Sequence, residues 1–256
     1  MCILFVALKV LPDFPLIICA NRDESHARQT QKAHFWAPEN TLLAGRDLVA
    51  GGTWLGVNKS GNVAAITNIR MLGANTKNKK SRGELPVFAL TQPNFPLSSS
   101  WLKENSNKYQ PFNLLYGNEH SLHCYNSQTQ KCSTLPPGFH AISNGELNDI
   151  WPKMARGNYA LKQYLNTHAT PVPSELLALL TDTQQAKDKH LPHTGVSLKW
   201  ERLLSSIFIK HPKYGTRSSS VILINRQKHI SFTEVRFNNR GDQVGQEAFH
   251  FNTEDS

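Results

Sequence analysis

The chain has 256 residues, 39% of them hydrophobic and 18% charged, enough to bury a core without staples and too apolar for disorder along its whole length. Lys and Arg number 28 against 19 Asp and Glu, a formal charge of +9. This favours an anionic partner, and with no nucleic-acid module or aromatic platform beside the dispersed cations, nucleic acid is set aside in favour of a small acidic molecule. Four cysteines, Cys2, Cys19, Cys124 and Cys132, are too few for a disulfide scaffold, and no apolar run approaches the roughly 18 residues of a membrane span.

Cys2 to Val10 is an apolar run without helical period, followed by turn chemistry at Leu11 to Pro15 and a second apolar strand from Leu16 to Ala20. Lys9, Pro12, Asp13 and Pro15 break this stretch as a signal-peptide helix, so a cytoplasmic protein is expected. The pair reads as an antiparallel hairpin whose second strand ends on the polar tetrad Asn21-Arg22-Asp23-Glu24. Gly51-Gly52 permits close backbone approach or positive φ. Next comes a hairpin of Thr53–Val57 and Asn62–Asn68 around the turn Asn58-Lys59-Ser60-Gly61. The densest basic cluster, Lys77, Lys79, Lys80 and Arg82, reads as a solvated loop.

Helices are expected over Ser81–Leu90 and Leu97–Asn105, then short strands at Asn113–Tyr116, Ser121–Tyr125 and Phe139–Ser143. Trp151–His168, Ser174–Leu180 and Leu198–Ile209 read as helices, and Ser218–Ile224 with His229–Phe237 as a last hairpin. Strands, helices, strands, helices and strands in that order describe an α+β protein with largely antiparallel sheets, not a doubly wound one. With no repeat, low-complexity tract or linker, residues 1–256 read as one domain.

Cys2 carries the strongest chemical suggestion. Loss of Met1 would place a thiol and an α-amine on one residue, and an α-amine titrating near 7.7–8.0 is a general base at neutral pH. The plain alternative is a small buried hydrophobe in an apolar strand. Hairpin geometry weighs against that alternative, because it brings the end of strand two beside the start of strand one. Asp23 or Arg22 then reaches Cys2, the carboxylate to orient an ammonium and the guanidinium to lower the thiol pKa. His120, His123 and Cys124, and His190 with His193, lack a matching half with zinc spacing, so no metal site is expected.

The Met-Cys-Ile start, the Asn21–Glu24 tetrad, Gly51-Gly52-Thr53-Trp54-Leu55-Gly56, Ser81-Arg82-Gly83, Ser143-Asn144-Gly145, Trp151-Pro152-Lys153 and Tyr214-Gly215-Thr216-Arg217-Ser218 together resemble the NRDE family, the homologues of transport and Golgi organisation protein 2. That family in turn resembles the N-terminal-nucleophile (Ntn) cysteine hydrolases of the penicillin V acylase and bile-salt hydrolase group. The resemblance implies an αββα sandwich, two antiparallel sheets between helical layers. It implies Cys2 as nucleophile, Asp23 as the carboxylate that orients its amine, and Asn68 and Asn144 as oxyanion donors. Arg217 is implied as the late arginine that holds Asp23 or a substrate carboxylate. Asn21, Arg22 and Glu24, the rest of the tetrad, are taken as ligand-binding.

Two functions follow. One is a cysteine hydrolase acting on an amide or acyl thioester of a small acidic ligand, with no cofactor required. The other, implied by the family's association with haem trafficking and with acyl-coenzyme A and lipid homeostasis, is carriage of haem or acyl-coenzyme A as cargo without catalysis. A purely structural module ranks below both, because a polar tetrad facing Cys2 is an odd requirement for packing.

Overall fold

The computed structural model describes residues 2–38, 40–70, 78–91 and 98–254. It opens with β1 (Cys2–Leu11) and β2 (Phe14–Ser25), then β3 (Thr30–Phe35), β4 (Leu42–Asp47), β5 (Leu55–Asn58) and β6 (Val63–Asn68). Helices α1 (Glu84–Thr91) and α2 (Ser99–Asn105) follow, then β7 (Phe112–Gly117), β8 (Leu122–Asn126), β9 (Lys131–Thr134) and β10 (Gly138–Ile142). Helices α3 (Pro152–Thr167), α4 (Pro173–Leu179) and α5 (Leu198–Leu204) precede β11 (Tyr214–Ile224), β12 (His229–Phe237) and β13 (Gln243–Asn252).

The strands form two antiparallel sheets, ordered β10-β1-β2-β11-β12-β13 and β3-β4-β5-β6-β7-β8-β9. Side-chain alternation assigns their faces. Cys2, Leu4, Val6, Leu16, Ile18 and Ala20 point toward the second sheet, where Leu55, Val57 and Leu115 meet them. Ile3, Phe5, Ala7, Ile17 and Cys19 point the other way, onto Met154 and Leu161 of α3 and Leu176 of α4. Burial on both faces is why β1 and β2 read as continuous apolar runs. Ile17 and Ile18 are both wholly inaccessible, and each such side chain stabilises the fold by about 1.5–3 kcal/mol. On the outer face of the second sheet, Leu85 and Leu90 of α1 and Leu102 of α2 complete the fourth layer.

The αββα sandwich is therefore the observed architecture. Four strands escape a reading by pattern: β3, β4, β9 and β13. Strands β3, β9 and β13 are sheet edges, and β13 alternates exposed with half-buried residues, so they bury too little to show an apolar signal. Strand β2 is longer than its apolar core suggests and carries the tetrad within paired strand. Arg22 lies opposite Cys2 on one side and Ser218 on the other, and Asp23 opposite Thr216. Helix α5 stops at Leu204, short of the Ile209 expected, because Ser205 and Ser206 turn their hydroxyls onto the carbonyls of Arg202 (2.6 Å) and Leu203 (2.9 Å). Leu97, the expected start of the second helix, lies outside the described residues. No helix among them is long and apolar enough to cross a membrane.

Candidate active site

The site is assembled where the first hairpin meets the segments around Gly52 and Gly83. Gly51 adopts φ +77°, and a Cβ on Gly52 would stand 2.3 Å from the backbone of Gly83. Only glycine permits this approach, and it is locked by Thr53 N–H donating to the Gly83 carbonyl at 3.0 Å. Two separated sequence motifs thereby become one wall of a cavity of about 310 Å³.

Cys2 lines that cavity together with Arg22, Asp23, Glu24 and Asn68. Its thiol is pushed up by burial and by the Asp23 charge, with the amino-terminal charge and, more weakly, Arg22 pulling it back down, so at neutral pH it is a thiol that must lose its proton to a base before attack. Lys79, Lys80 and Arg82 line the opposite wall. The basic cluster read as a solvated loop is therefore partly a cavity wall, since the turn at Gly83 folds it back over Cys2; Lys77 lies outside the described residues. Arg28 also lines the cavity but is neutralised by Asp47 at 2.6 Å. Lys80 is paired with Glu84 at 3.4 Å, and Arg82 donates to the Pro111 carbonyl at 3.1 Å.

Asp23 is 2% exposed. Thr216 Oγ1 donates to its Oδ1 at 2.7 Å, and the Tyr214 hydroxyl to its backbone carbonyl at 3.1 Å. Burial raises its pKa, while the Lys153 charge and the Thr216 hydrogen bond pull it down. Lys153 is the residue that the sequence motif contained without a role. It lies in the first turn of α3, is 3% exposed, and is drawn down to about 8 by burial, with the Asp23 charge opposing. Its Nζ donates to Asn144 Oδ1 at 3.4 Å. A buried lysine in Trp-Pro-Lys at a helix start was a signal that could have been weighed, because a lysine is rarely buried without a partner.

Asn68 and Asn144 meet. The Asn144 side-chain N–H donates to the Asn68 carbonyl at 2.9 Å, and Ser143 Oγ donates to the Cys2 carbonyl at 3.3 Å. Asn68 lines the cavity and Asn144 stands behind it, with one amide proton committed to Asn68. Glu24 faces the cavity and accepts its neighbour's backbone N–H, from Ser25, at 2.8 Å. Asn21 points to the helical side. Its amide donates to the carbonyls of Leu180 and Ile207, both at 2.9 Å, and its Oδ1 accepts from Ser219 at 2.6 Å, so it ties the sheet to the helical layer.

Arg217 stands apart from this group. The β11–β2 register shifts between Thr216 and Ser218, and the Arg217 Nη1 donates to the carbonyls of Ser25 (2.8 Å), His26 (3.3 Å) and Arg28 (3.1 Å). The contact to Asp23 expected of Arg217 is made by Thr216, because the shift leaves Arg217 out of the pairing and its guanidinium reaches past Asp23 to the end of β2 and the turn beyond it. Among the described residues no group of three or more His, Cys, Asp or Glu is placed to share a metal ion.

The family model "Transport and Golgi organisation 2" matches residues 1–239. The Transport and Golgi organization protein 2 homolog of Bos taurus is 32% identical, over 91% of this chain and 92% of that protein. The human homolog is 30% identical over the same shares. Among solved structures, the C2A mutant of conjugated bile acid hydrolase from Clostridium perfringens matches with a TM-score of 0.52 at 10% identity, covering all of this chain and 94% of that one. That likeness is one of fold, and it agrees with the Ntn-hydrolase-like αββα layering. By sequence over nine-tenths of its length, the chain belongs to the transport and Golgi organisation 2 family.

Proposed function

We propose that this protein is an Ntn-type cysteine hydrolase acting on an amide or acyl thioester of a small acidic ligand. The observation that carries the reading is the position of Cys2, on the wall of a cavity shared with Asp23, Asn68 and five cations, of which Arg28 is paired with Asp47. Removal of Met1 frees the α-amine. The Cys2 sulfur then adds to the carbonyl carbon as its proton passes to that amine, and the carbonyl oxygen becomes an oxyanion. Asn68 supplies an amide donor to the oxyanion, worth on the order of 3 kcal/mol where preorganised, and Asn144 holds Asn68 in place from behind through its bond to the Asn68 carbonyl. Collapse breaks the bond to the leaving nitrogen or sulfur, which takes the proton back, and leaves an acyl thioester on Cys2. Water, deprotonated by the same amine, releases the acid and restores the thiol. Asp23, held by Thr216, steadies the ammonium between these steps. Support from fold comes from the bile acid hydrolase likeness, and support for an acidic ligand from Arg22, Lys79, Lys80 and Arg82 around the cavity.

Intact mass of the purified protein, before and after a thiol-directed acylating probe, tests this. The expected result is a chain lacking Met1 that gains one acyl group at Cys2 and loses it with time. Retention of Met1 overturns the mechanism, because the α-amine would then belong to another residue.

The same cations favour a second reading, carriage of haem or acyl-coenzyme A as acidic cargo. Neither His nor Met is among the described residues lining the cavity, so haem would be held through its carboxylates, with Cys2 the one thiol at hand. Titration with haem and with acyl-coenzyme A separates the readings: saturable binding that survives Cys2→Ala, without turnover, favours carriage.

A further inference from the structure

A second, smaller cavity of about 100 Å³ lies behind Trp54, and the two cavities share Arg22 and Trp54 in their walls. Several times the roughly 30 Å³ that a water occupies in the liquid, it admits a compact polyatomic ion. Three members of one transverse row of the first sheet, Arg22, Ser218 and Arg236, line it. Cys2 lies opposite Arg22, Arg22 opposite Ser218, Ser218 opposite Arg236, and Arg236 opposite Gly245. Directly opposed residues in antiparallel strands share a face, so these side chains all point between the sheets.

Among the described residues three buried polar atoms around this cavity have no hydrogen-bond partner, Arg22 Nη1, Ser218 Oγ and Arg236 Nε, although Arg236 Nη2 lies 3.5 Å from Glu247. Unmade bonds of this kind cost about 1–3 kcal/mol each, and here they converge on one space. Arg22 is 5% exposed, always charged, and among the described residues makes no carboxylate ion pair; its guanidinium lies on the Trp54 ring at 4.3 Å. Waters could satisfy the donors, but Arg22 would then face only carboxylates it does not pair with directly, Asp23 and Glu234. The walls are fixed rather than collapsed. A Cβ on Gly45 would stand 2.4 Å from the Trp54 ring, and one on Gly245 would stand 2.2 Å from the Arg236 guanidinium; both strands give up a side chain to leave room. Glu234 also lines the space. One of its oxygens accepts from Ala33 N–H at 2.9 Å, and burial raises its pKa to about 7, which softens its opposition to an anion.

We propose that this cavity is a binding site for a phosphate-sized oxyanion, held by Arg22, Ser218 and Arg236. Guanidinium forks and a hydroxyl match the three or more acceptor oxygens of a phosphoryl group. At a strand spacing of about 4.8 Å, Ser218 stands roughly 10 Å from Cys2 along the row. The oxyanion is thus either a free ion or the acidic end of a ligand whose other end reaches Cys2. The site does not require Cys2 to be a nucleophile.

Calorimetry and thermal unfolding of the full chain with inorganic phosphate, at ionic strength held constant with chloride, test the proposal. Saturable heat and a rising Tm are expected. Ser218→Ala and Arg236→Met should each weaken phosphate binding roughly tenfold or more, while Cys2→Ala binds as the natural chain does. Phosphate that slows acylation of Cys2 by an acidic probe identifies the acidic end of the Cys2 ligand, and phosphate binding without that effect identifies a free ion. Absence of a saturable response overturns the proposal, as does an equal response in Ser218→Ala and Arg236→Met. So does a crystal grown with phosphate whose cavity holds water alone.

Discussion

Cys2 and Cys19 sit three rungs apart on one hairpin, opposite Arg22 and Phe5 respectively, and both are buried. Odd spacing puts them on opposite faces of the sheet. Cys19 faces the helical layer among Ile3, Ile17 and Met154, and burial alone pushes its thiol up to about 12. Cys2 meets the same cost of burial, but beside a cavity lined by Arg22, Asp23 and Asn68. Two residues of one type thus differ because of the face and the row they occupy. One fills space, and the other has charge, donors and room for a reacting carbonyl around it.

The largest expected effect separates the two cysteines directly. Cys2→Ala should abolish probe acylation and lower any hydrolysis on the order of 10³-fold or more, with unfolding free energy within about 1 kcal/mol of the natural chain. Cys19→Ala should keep both activities; if mass spectrometry finds the probe on Cys19, the contrast is lost. Asp23→Asn comes next. It preserves an acceptor for Thr216 but removes the charge, and acylation of Cys2 should slow on the order of 10²-fold. A rate unchanged in stopped-flow labelling would remove Asp23 from the chemistry.

Lys153 sharpens the comparison through pH. It titrates at about 8 in the folded chain, against an ordinary value near 10.4 when unfolded. Between those values the unfolded chain binds the extra proton, so stability rises with pH across that window, by on the order of 3 kcal/mol. Urea unfolding at both ends of the window should show this gain in the natural chain and its loss in Lys153→Met. An identical pH slope in the two would mean that the lysine is not buried as described. The smallest effect concerns Cys19. Cys19→Ser places a hydroxyl among apolar neighbours and should cost about 1–3 kcal/mol of stability, with Cys2 acylation unaltered.

Much of this was legible in residue order. The apolar runs Cys2–Val10 and Leu16–Ala20 could only be buried strands, and a short turn between them forces Cys2 toward Arg22 and Asp23. Trp151–His168 and the hairpin at Asn58–Gly61 were equally plain, because periodicity and turn chemistry act over a few residues. The edge strands β3, β9 and β13 were not legible, since a strand paired on one side and bathed on the other needs no apolar pattern. Nor was the role of Lys79, Lys80 and Arg82. A run of cations looks the same in a loop or on a cavity wall, and the contact of Gly52 with Gly83 decides between them.

The site divides in the same way. Neighbours across the hairpin, Cys2 with the tetrad, follow from local connectivity. The partner of Asp23 does not: the bulge at Arg217 hands that contact to Thr216 and sends the arginine to the carbonyls of Ser25, His26 and Arg28. Lys153 reaches Asn144 only because α3 crosses the helical face of the first sheet. Sequence by itself determined which strands exist near Cys2 and that a thiol, a carboxylate and a guanidinium share one end of a hairpin, since pairing between adjacent segments is set by short-range geometry. Only the tertiary structure decided which distant groups close around that end, because side chains from remote segments meet through sheet stacking, which no local pattern encodes.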